Sequence, residues 1–221
     1  MSNPMSLEGK VVIVTGAARG VGRAVAEMAL QMGAKVCAVD MNREGVEAFA
    51  AGAPDCAQAF VGSICDADFL KASMATAISR FGQVDGLVNC AGIIRPAMIE
   101  NMTLQQWNEI LEVHLTGAFM WLQAVGTHLV ERAKAGEQVR GSIVNISSDA
   151  GRMGSIGQIN YATAKAGMFG MTMSASREWA KFGVRTNTIC LGVVETPMTE
   201  VIRGGRFRDG LLAKIPLGRF A

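Results

Sequence analysis

The sequence has 221 residues and a mass of 23.3 kDa; 50% of the residues are hydrophobic and 18% are charged. This length suits one domain and this apolar content suits a large core, which excludes intrinsic disorder. A net charge of +2 is too small to indicate a protein that binds nucleic acid or another polyanion.

Apolar runs and helix-like stretches alternate along the whole sequence. Strands are predicted over residues 10–14, 34–39, 57–61, 85–88, 141–146 and 184–190, where β-branched or apolar residues run together. Helices are predicted over residues 21–32, 66–81, 103–134 and 160–182, where apolar residues recur at helical spacing. This alternation predicts a doubly wound α/β fold, with a parallel sheet covered on both faces, in one domain spanning residues 1–221.

The five cysteines are scattered and none forms a Cys-x-x-Cys pair, so we expect free thiols in a reducing compartment and no metal site. The amino-terminal residues lack the basic and apolar regions of a signal peptide. No apolar run has the length of a membrane span. The sequence therefore predicts a cytoplasmic protein that binds neither membranes nor nucleic acid.

A glycine-rich segment over residues 15–22 connects the first strand to the first helix and has the pattern Thr-Gly-x-x-x-Gly-x-Gly. The first glycine allows a tight turn, and the two later ones let the backbone approach a pyrophosphate that faces the N–H groups of the helix. The alternative is a strand-to-helix turn that needs glycine only for steric reasons. The predicted cofactor-binding residues of this segment are Gly16, Arg19, Gly20, Val21 and Gly22.

Asp40 ends the second predicted strand, at the edge of the sheet where such folds bind their ligands. A carboxylate there accepts hydrogen bonds from both hydroxyls of an adenosine ribose, and it repels a 2′-phosphate. We therefore expect the cofactor to be NAD rather than NADP. The alternative is an ordinary loop carboxylate.

Tyr161, the only tyrosine, lies four residues before Lys165, so both side chains are predicted on one face of a helix. An ammonium beside a phenol stabilises the phenolate and lowers the pKa of the phenol, which suits proton transfer with a substrate oxygen. Ser147 and Ser148 end the fifth strand, where a hydroxyl can hydrogen-bond the same oxygen. In isolation, a Tyr-x-x-x-Lys pair is usually a solvated helix face.

With these motifs in this order, the sequence resembles the short-chain dehydrogenase/reductase family over essentially its whole length. The resemblance rests on the segment 15–22, on Asn-Cys-Ala-Gly at 89–92, and on Ser148, Tyr161 and Lys165. It implies a Rossmann fold, a nicotinamide cofactor, and hydride transfer between that cofactor and a carbonyl or secondary alcohol.

The resemblance also implies a role for each residue. Tyr161 is expected to be the general acid and base. Lys165 is expected to bind the nicotinamide ribose beside Tyr161 and to lower the pKa of that tyrosine, and both residues are therefore expected to contact the cofactor. Ser148, rather than Ser147, is expected to orient the substrate carbonyl. The other residues expected on the nicotinamide side of the pocket are Asn89, Ala91, Gly92 and Thr196.

The sequence departs from the family at His114. Family members usually have an asparagine there, as a fourth catalytic residue in a Val-Asn-x-x-Gly pattern, whereas residues 113–117 have Val-His-Leu-Thr-Gly. An imidazole can hold a water molecule or relay a proton, so His114 is a candidate catalytic residue. Because a second cation beside Lys165 is repelled, we expect a neutral His114 close to Lys165 and bonded to water or a backbone group. The alternative is a histidine that only packs in the helix.

The resemblance has consequences for the sheet and for assembly. Family members usually continue beyond a segment such as 216–220 with a helix and a further strand, so the sheet expected here lacks that C-terminal strand. A homodimer or homotetramer is expected, formed through the helices predicted over 103–134 and 160–182. The second helix has apolar residues on more than one side, which is typical of a helix buried twice.

The segments 89–95 and 153–167 most resemble 3-oxoacyl-acyl-carrier-protein reductases, so the favoured substrate is a 3-oxoacyl thioester or a related β-keto compound. One alternative is a catabolic NAD-dependent alcohol dehydrogenase acting on a sugar, polyol, hydroxy acid or cyclic alcohol. An alternative of another class is a cofactor-binding sensor or scaffold with weak catalysis. Specificity is expected to lie in loops near Ile94, near Met153 and over 193–207.

Overall fold

The computed structural model describes residues 5–221. They contain one six-stranded sheet with helices on both faces. The strands are β1 (Val11–Thr15), β2 (Lys35–Asp40), β3 (Ala57–Val61), β4 (Gly86–Asn89), β5 (Gly141–Ser148) and β6 (Val184–Leu191). All pairings are parallel, in the order β3-β2-β1-β4-β5-β6. The direction of winding reverses between β1 and β4, which opens a ligand crevice at their carboxyl ends. The predicted doubly wound fold is confirmed.

Nine α-helices occur within the described residues. They are α1 (Gly20–Gln31), α2 (Arg43–Ala51), α3 (Ala67–Phe81), α4 (Leu104–Leu111), α5 (Ala118–Lys134), α6 (Ala150–Met153), α7 (Ile159–Trp179), α8 (Glu200–Arg203) and α9 (Arg208–Leu212). Short 3₁₀ turns lie at Ile99–Asn101, Ala180–Phe182, Pro197–Thr199 and Gly205–Phe207. Over residues 5–221, no helix has the length and apolar character needed to cross a membrane.

Helix α2 has no counterpart among the predicted helices. The side-chain oxygen of Asn42 caps this helix by accepting the N–H of Gly45 at 2.9 Å. Only Val46 and Phe49 are buried along it, so its apolar stripe is too short to show helical periodicity. The asparagine cap, followed by Glu44 in the first turn, was the signal that the sequence offered.

The helix predicted over residues 103–134 starts as expected but is not continuous. Thr103 caps α4 in a capping box with Gln106. The chain then forms a π-helical segment, Glu112–Gly117, before it resumes as α5. Insertions of this kind are frequent at functional sites, and this one contains His114.

A hydrophobic core lies on each face of the sheet. Helices α1 and α2 cover one face, where Val14, Val36 and Phe49 are buried. Helices α3, α5 and α7 cover the other face around Trp121, whose indole N–H donates to the carbonyl of Ile64 at 3.1 Å. Burial of a large apolar side chain contributes roughly 1.5–3 kcal/mol, so Trp121 is a major contributor to this core.

Strand β6 borders the sheet within the described residues, and its Ile189 side chain is 48% exposed. An apolar groove of about 580 Å³ runs beside α1, lined by residues that include Met28 and Leu191. Beyond β6, the N–H of Ala221 donates to the carbonyl of Val193 at 3.2 Å. The described sheet has six strands.

A cluster of charged and polar groups joins the amino ends of β1 and β4, opposite the crevice. Asp85 is buried, and its carboxylate accepts the N–H of Val11 at 2.9 Å and the amide of Gln83 at 2.8 Å. The guanidinium of Arg132 on α5 lies 3.3 Å from the same carboxylate. Because removal of one partner would leave a buried charge uncompensated, loss of any member of this cluster should destabilise the fold at a distance from the crevice.

Candidate active site

The turn after β1 lies against the loop after β4 with no space for a side chain. Gly16 has a φ of +71°, and a Cβ atom there would be 2.7 Å from Cα of Ala91. A Cβ atom on Gly22 would be 2.1 Å from the carbonyl oxygen of Gly16. Glycine is therefore required at both positions, and the start of α1 is held directly over the turn.

The amino end of α1 is suited to an anion. Arg19 precedes the helix without a side-chain capping bond, and no acidic residue lies in the first turn. The N–H groups around Gly20 and Val21 thus have no carboxylate in competition, so the turn fits the pyrophosphate of a dinucleotide. A Cβ atom on Gly20 would be 3.4 Å from the Thr196 methyl group, which places Thr196 beside this turn.

Asp40 lies at the carboxyl end of β2, beside the same turn. One carboxylate oxygen accepts the N–H of Ala18 at 3.1 Å, and the other accepts the N–H of Asn42 at 3.0 Å. These backbone bonds fix the carboxylate, while each oxygen keeps a lone pair for a further donor. The geometry fits the two hydroxyls of an adenosine ribose.

Two side chains hold the loop after β4 in place. The hydroxyl of Thr15 accepts the N–H groups of Cys90 at 3.1 Å and Ala91 at 3.2 Å. Asn89 lies in the core rather than in the crevice, and it donates to the carbonyl of Ala118 at 3.0 Å and to Asn145 at 2.9 Å. The structure thus gives Thr15 a positioning function that its place in the motif did not reveal.

The structure brings Ser148 and Tyr161 together and turns Ser147 away from them. The Ser148 hydroxyl lies close enough to the Tyr161 phenol to lower the pKa of that phenol. Ser147 is buried and donates to the backbone carbonyl of Lys165 at 2.7 Å. A Cβ atom on Gly151 would be 2.7 Å from the carbonyl carbon of Lys165, so α6 packs directly on α7.

Burial dominates the electrostatics of the pair on α7. Burial raises the pKa of Tyr161, and the hydrogen bond from Ser148 only partly opposes this effect. Burial also lowers the pKa of Lys165 to about 8. The lysine Nζ donates to the carbonyl of Ile146 at 2.7 Å and lies 5.6 Å from the centre of the tyrosine ring. The ammonium is directed at a backbone oxygen and burial is the largest influence on the pKa of Tyr161, so lowering of that pKa by Lys165 stays a prediction.

His114 is buried against Tyr161, with the two rings edge to face and their centres 5.1 Å apart. Its Nε2 atom lies 2.7 Å from the carbonyl oxygen of Ile93 and 3.0 Å from the N–H nitrogen of the same residue. Burial, together with the charge of Lys165, lowers the pKa of His114 to about 3, so the imidazole is neutral. Gly92 leaves room for the ring, because a Cβ atom there would be 2.5 Å from Cε1 of His114.

The sequence matches the family model described as short chain dehydrogenase over residues 10–206. The chain belongs to the short-chain dehydrogenase family. It is thus an oxidoreductase that acts on CH–OH groups with a nicotinamide cofactor, and the crevice described above fits that cofactor.

Two curated relatives and one solved structure illustrate the likeness. The 3-oxoacyl-[acyl-carrier-protein] reductase FabG of Thermotoga maritima is 39% identical over 219 residues, which cover 98% of this chain and 86% of the relative. The D-threitol dehydrogenase of Mycolicibacterium smegmatis is 39% identical over 218 residues, covering 97% of this chain and 82% of the relative. The crystal structure of a 3-ketoacyl-(acyl-carrier-protein) reductase from Brucella melitensis, complexed with NADH, has a TM-score of 0.89 at 29% identity and covers 98% of this chain and 86% of its own.

Substitution of His114 tests whether the imidazole takes part in the reaction. His114→Asn should retain or raise turnover, since it restores the family pattern. His114→Leu should lower turnover by about tenfold or more, because leucine cannot bond the Ile93 backbone. A pKa of about 3 leaves the His114 ring neutral from about pH 5 to pH 8, so no ionisation of His114 should appear in the rate there.

Steady-state kinetics across this pH range measure both effects. His128, the other histidine, accepts the N–H of Val84 at 3.2 Å at the opposite end of the sheet, so His128→Asn is the matched control. If His114→Leu turned over like the unmodified protein with the same pH dependence, His114 would be a packing residue only.

Proposed function

We propose that this short-chain dehydrogenase reduces 3-oxoacyl thioesters or related β-keto compounds. The observation that carries the proposal is a rim of exposed apolar side chains on the segments that follow β4, β5 and β6. Its members are Met98, Ile99, Leu104, Met153, Ile156, Met198, Val201, Ile202 and Phe207. These segments leave the same edge of the sheet as Ser148, and an acyl chain has the apolar surface that such a rim covers.

The comparisons support a 3-oxoacyl thioester as the substrate without excluding a polyol. Two of the proteins described above are named as 3-oxoacyl or 3-ketoacyl reductases. The D-threitol dehydrogenase is equally identical to this chain, which keeps a polyol as the second candidate substrate. A polyol offers hydroxyl groups rather than a hydrocarbon chain, so the exposed apolar rim favours the thioester.

The proposed mechanism assigns one task to each side chain in the crevice. When bound, the nicotinamide supplies a hydride to the substrate carbonyl carbon. Ser148 and Tyr161 hold the carbonyl oxygen, and Tyr161 gives its proton to the alkoxide. A raised pKa keeps the phenol protonated at neutral pH, which suits the direction of reduction. Lys165 stabilises the phenolate that remains and binds the ribose, while His114 holds the Ile93 backbone beside the reacting group.

Asp40 and the α1 turn are proposed to hold the two ends of the adenosine diphosphate part of the cofactor. The other proposed contacts, carried over from the family resemblance, are Ala91, Gly92 and Thr196 around the nicotinamide. Asn89 acts from the core, where it fixes the end of β4.

All five cysteines are free, which supports a reducing cytoplasm as the site of action.

Tyr161→Phe tests the proposed chemistry. It should remove most turnover, by about 10²–10⁴-fold, because phenylalanine has no proton to donate. Binding of NADH should change little, since the pyrophosphate and ribose contacts remain. The measurement is NADH oxidation with a panel of 3-oxoacyl thioesters, the ketose that would be reduced to a tetritol, and a simple cyclic ketone.

Preference for the thioester supports the proposal, whereas preference for the ketose would make the chain a polyol dehydrogenase. Binding of NADH without turnover of any ketone would favour the sensor or scaffold alternative. Turnover by Tyr161→Phe at the unmodified rate would mean that another group donates the proton.

The cofactor is proposed to be NAD(H), because Asp40 lies where a 2′-phosphate would meet its negative charge. Asp40→Ala should narrow or reverse the preference for NADH over NADPH by removing that repulsion. Dissociation constants for NADH and NADPH measure the effect, and Asp68→Ala on the exposed start of α3 is the control. Equal constants for both cofactors in the unmodified protein would contradict this assignment.

Self-association is proposed through α5 and α7. A groove of about 450 Å³ between these helices is lined by apolar residues that include Leu115, Met171 and Trp179. Phe119 is 46% exposed and Met173 is 60% exposed on the same two helices. A two-fold contact buries both faces at once. Light scattering at micromolar concentration should show a dimer or tetramer. Phe119→Glu should shift the oligomeric state towards monomer, because it places a charge in the contact. A monomeric unmodified protein would refute the contact.

A further inference from the structure

Asn160, the residue before Tyr161, is fully buried and bonded to three separate parts of the chain. Its amide nitrogen donates to the carbonyl of Arg95 at 3.0 Å and to the carbonyl of Gln106 at 3.1 Å. Its side-chain oxygen accepts the N–H of Tyr161 at 2.8 Å. Both donors of this amide are used, and one of its two acceptor sites is filled.

The bond to Tyr161 satisfies a group that the helix itself leaves unpaired. Tyr161 is the third residue of α7, and the first N–H groups of a helix have no acceptor within it. Gln158, at the cap position, makes no side-chain capping bond. Asn160 therefore supplies the acceptor that fixes the backbone of Tyr161.

The two donor bonds attach this first turn of α7 to the walls of the substrate crevice. Arg95 belongs to the loop after β4, which leads to the exposed Met98 and Ile99, and Gln106 is in the first turn of α4. The same loop is held a second time, because the N–H of Ala97 donates to the carbonyl of Gly157 at 2.9 Å. The loop and the Tyr161 backbone are thus joined through the Asn160 side chain.

We infer that Asn160 is a positioning residue for the reduction, which sets the placement of Tyr161 relative to the loop that receives the substrate. This role rests on the proposed function, since it concerns the proton donor of that reaction. It is separate from the contacts of Ser148, Lys165 and His114, none of which bonds the Tyr161 backbone.

Asn160→Ala and Asn160→Asp separate the bond that Asn160 accepts from Tyr161 from the two bonds that it donates to backbone carbonyls. Alanine removes all three bonds. Aspartate keeps an acceptor for the Tyr161 N–H but directs a carboxylate at two carbonyl oxygens. Each variant should lower kcat for 3-oxoacyl thioester reduction by about 10- to 100-fold, since misplacement of a reacting group by about 1 Å has effects of this size. The dissociation constant for NADH should stay within about twofold, because no group in the α1 turn changes.

The pH profile supplies a readout that loss of stability does not move. Burial raises the pKa of Tyr161 and the hydrogen bond from Ser148 lowers it, so a phenol displaced in Asn160→Ala should ionise at a different pH in the direction of alcohol oxidation. The titratable groups around the phenol are Lys165 on α7, His114 in the π-helical segment, Cys90 after β4 and Cys190 on β6. Asn160→Ala alters none of these groups, so a shifted profile reports a displaced tyrosine.

Arg132→Met is the control for stability, because it breaks the Asp85 cluster at the opposite end of the sheet. It should lower the melting temperature without changing kcat per active site or the pH profile. The inference is overturned if Asn160→Ala lowers only the melting temperature, or if Asn160→Asp reduces the thioester at the unmodified rate. An unmodified protein that reduces no ketone would overturn the proposed function and the role of Asn160 with it.

Discussion

The contact on which the site depends is the backbone approach between Gly16 and Ala91. Thr15 pairs with Asn89 in the sheet, so the chains leaving β1 and β4 start side by side. A single Cβ atom on Gly16 would force them apart, and the Thr15 hydroxyl fixes their separation by bonding the N–H groups that follow β4. The turn that fits the pyrophosphate and the loop that borders the substrate are therefore one rigid unit.

Buried side chains on other elements hold the proposed reacting residues against this unit through hydrogen bonds to backbone groups. Ser147 holds the carbonyl of Lys165, the Nε2 atom of His114 holds the backbone of Ile93, and Asn160 holds the N–H of Tyr161. Each of these side chains is buried, so each bond is shielded from competing water. A site built in this way presents Ser148 and Tyr161 in a fixed relation before any ligand binds, which is the condition for efficient proton transfer.

Periodicity and turn chemistry were enough to predict the six strands, the long helices and the order of the motifs. They were not enough for α2, because two buried residues give no measurable period, or for the π-helical segment, because its apolar spacing still resembles a helix. The bonds of Ser147 and Asn160 join residues far apart in the chain, so no local pattern records them. The raised pKa of Tyr161 depends on burial, which arises only from tertiary packing.

The central claim is that a hydride from the nicotinamide and a proton from Tyr161 reach the same carbonyl group in this crevice. The most direct measurement uses NADH carrying deuterium at the transferable position of the nicotinamide, a 3-oxoacyl thioester, and mass spectrometry of the product. The account predicts a 3-hydroxyacyl thioester with one deuterium on the carbinol carbon, formed from one of the two labelled cofactor epimers and not from the other. A hydroxyacyl product without deuterium from either epimer, or oxidation of NADH with no such product, would contradict it.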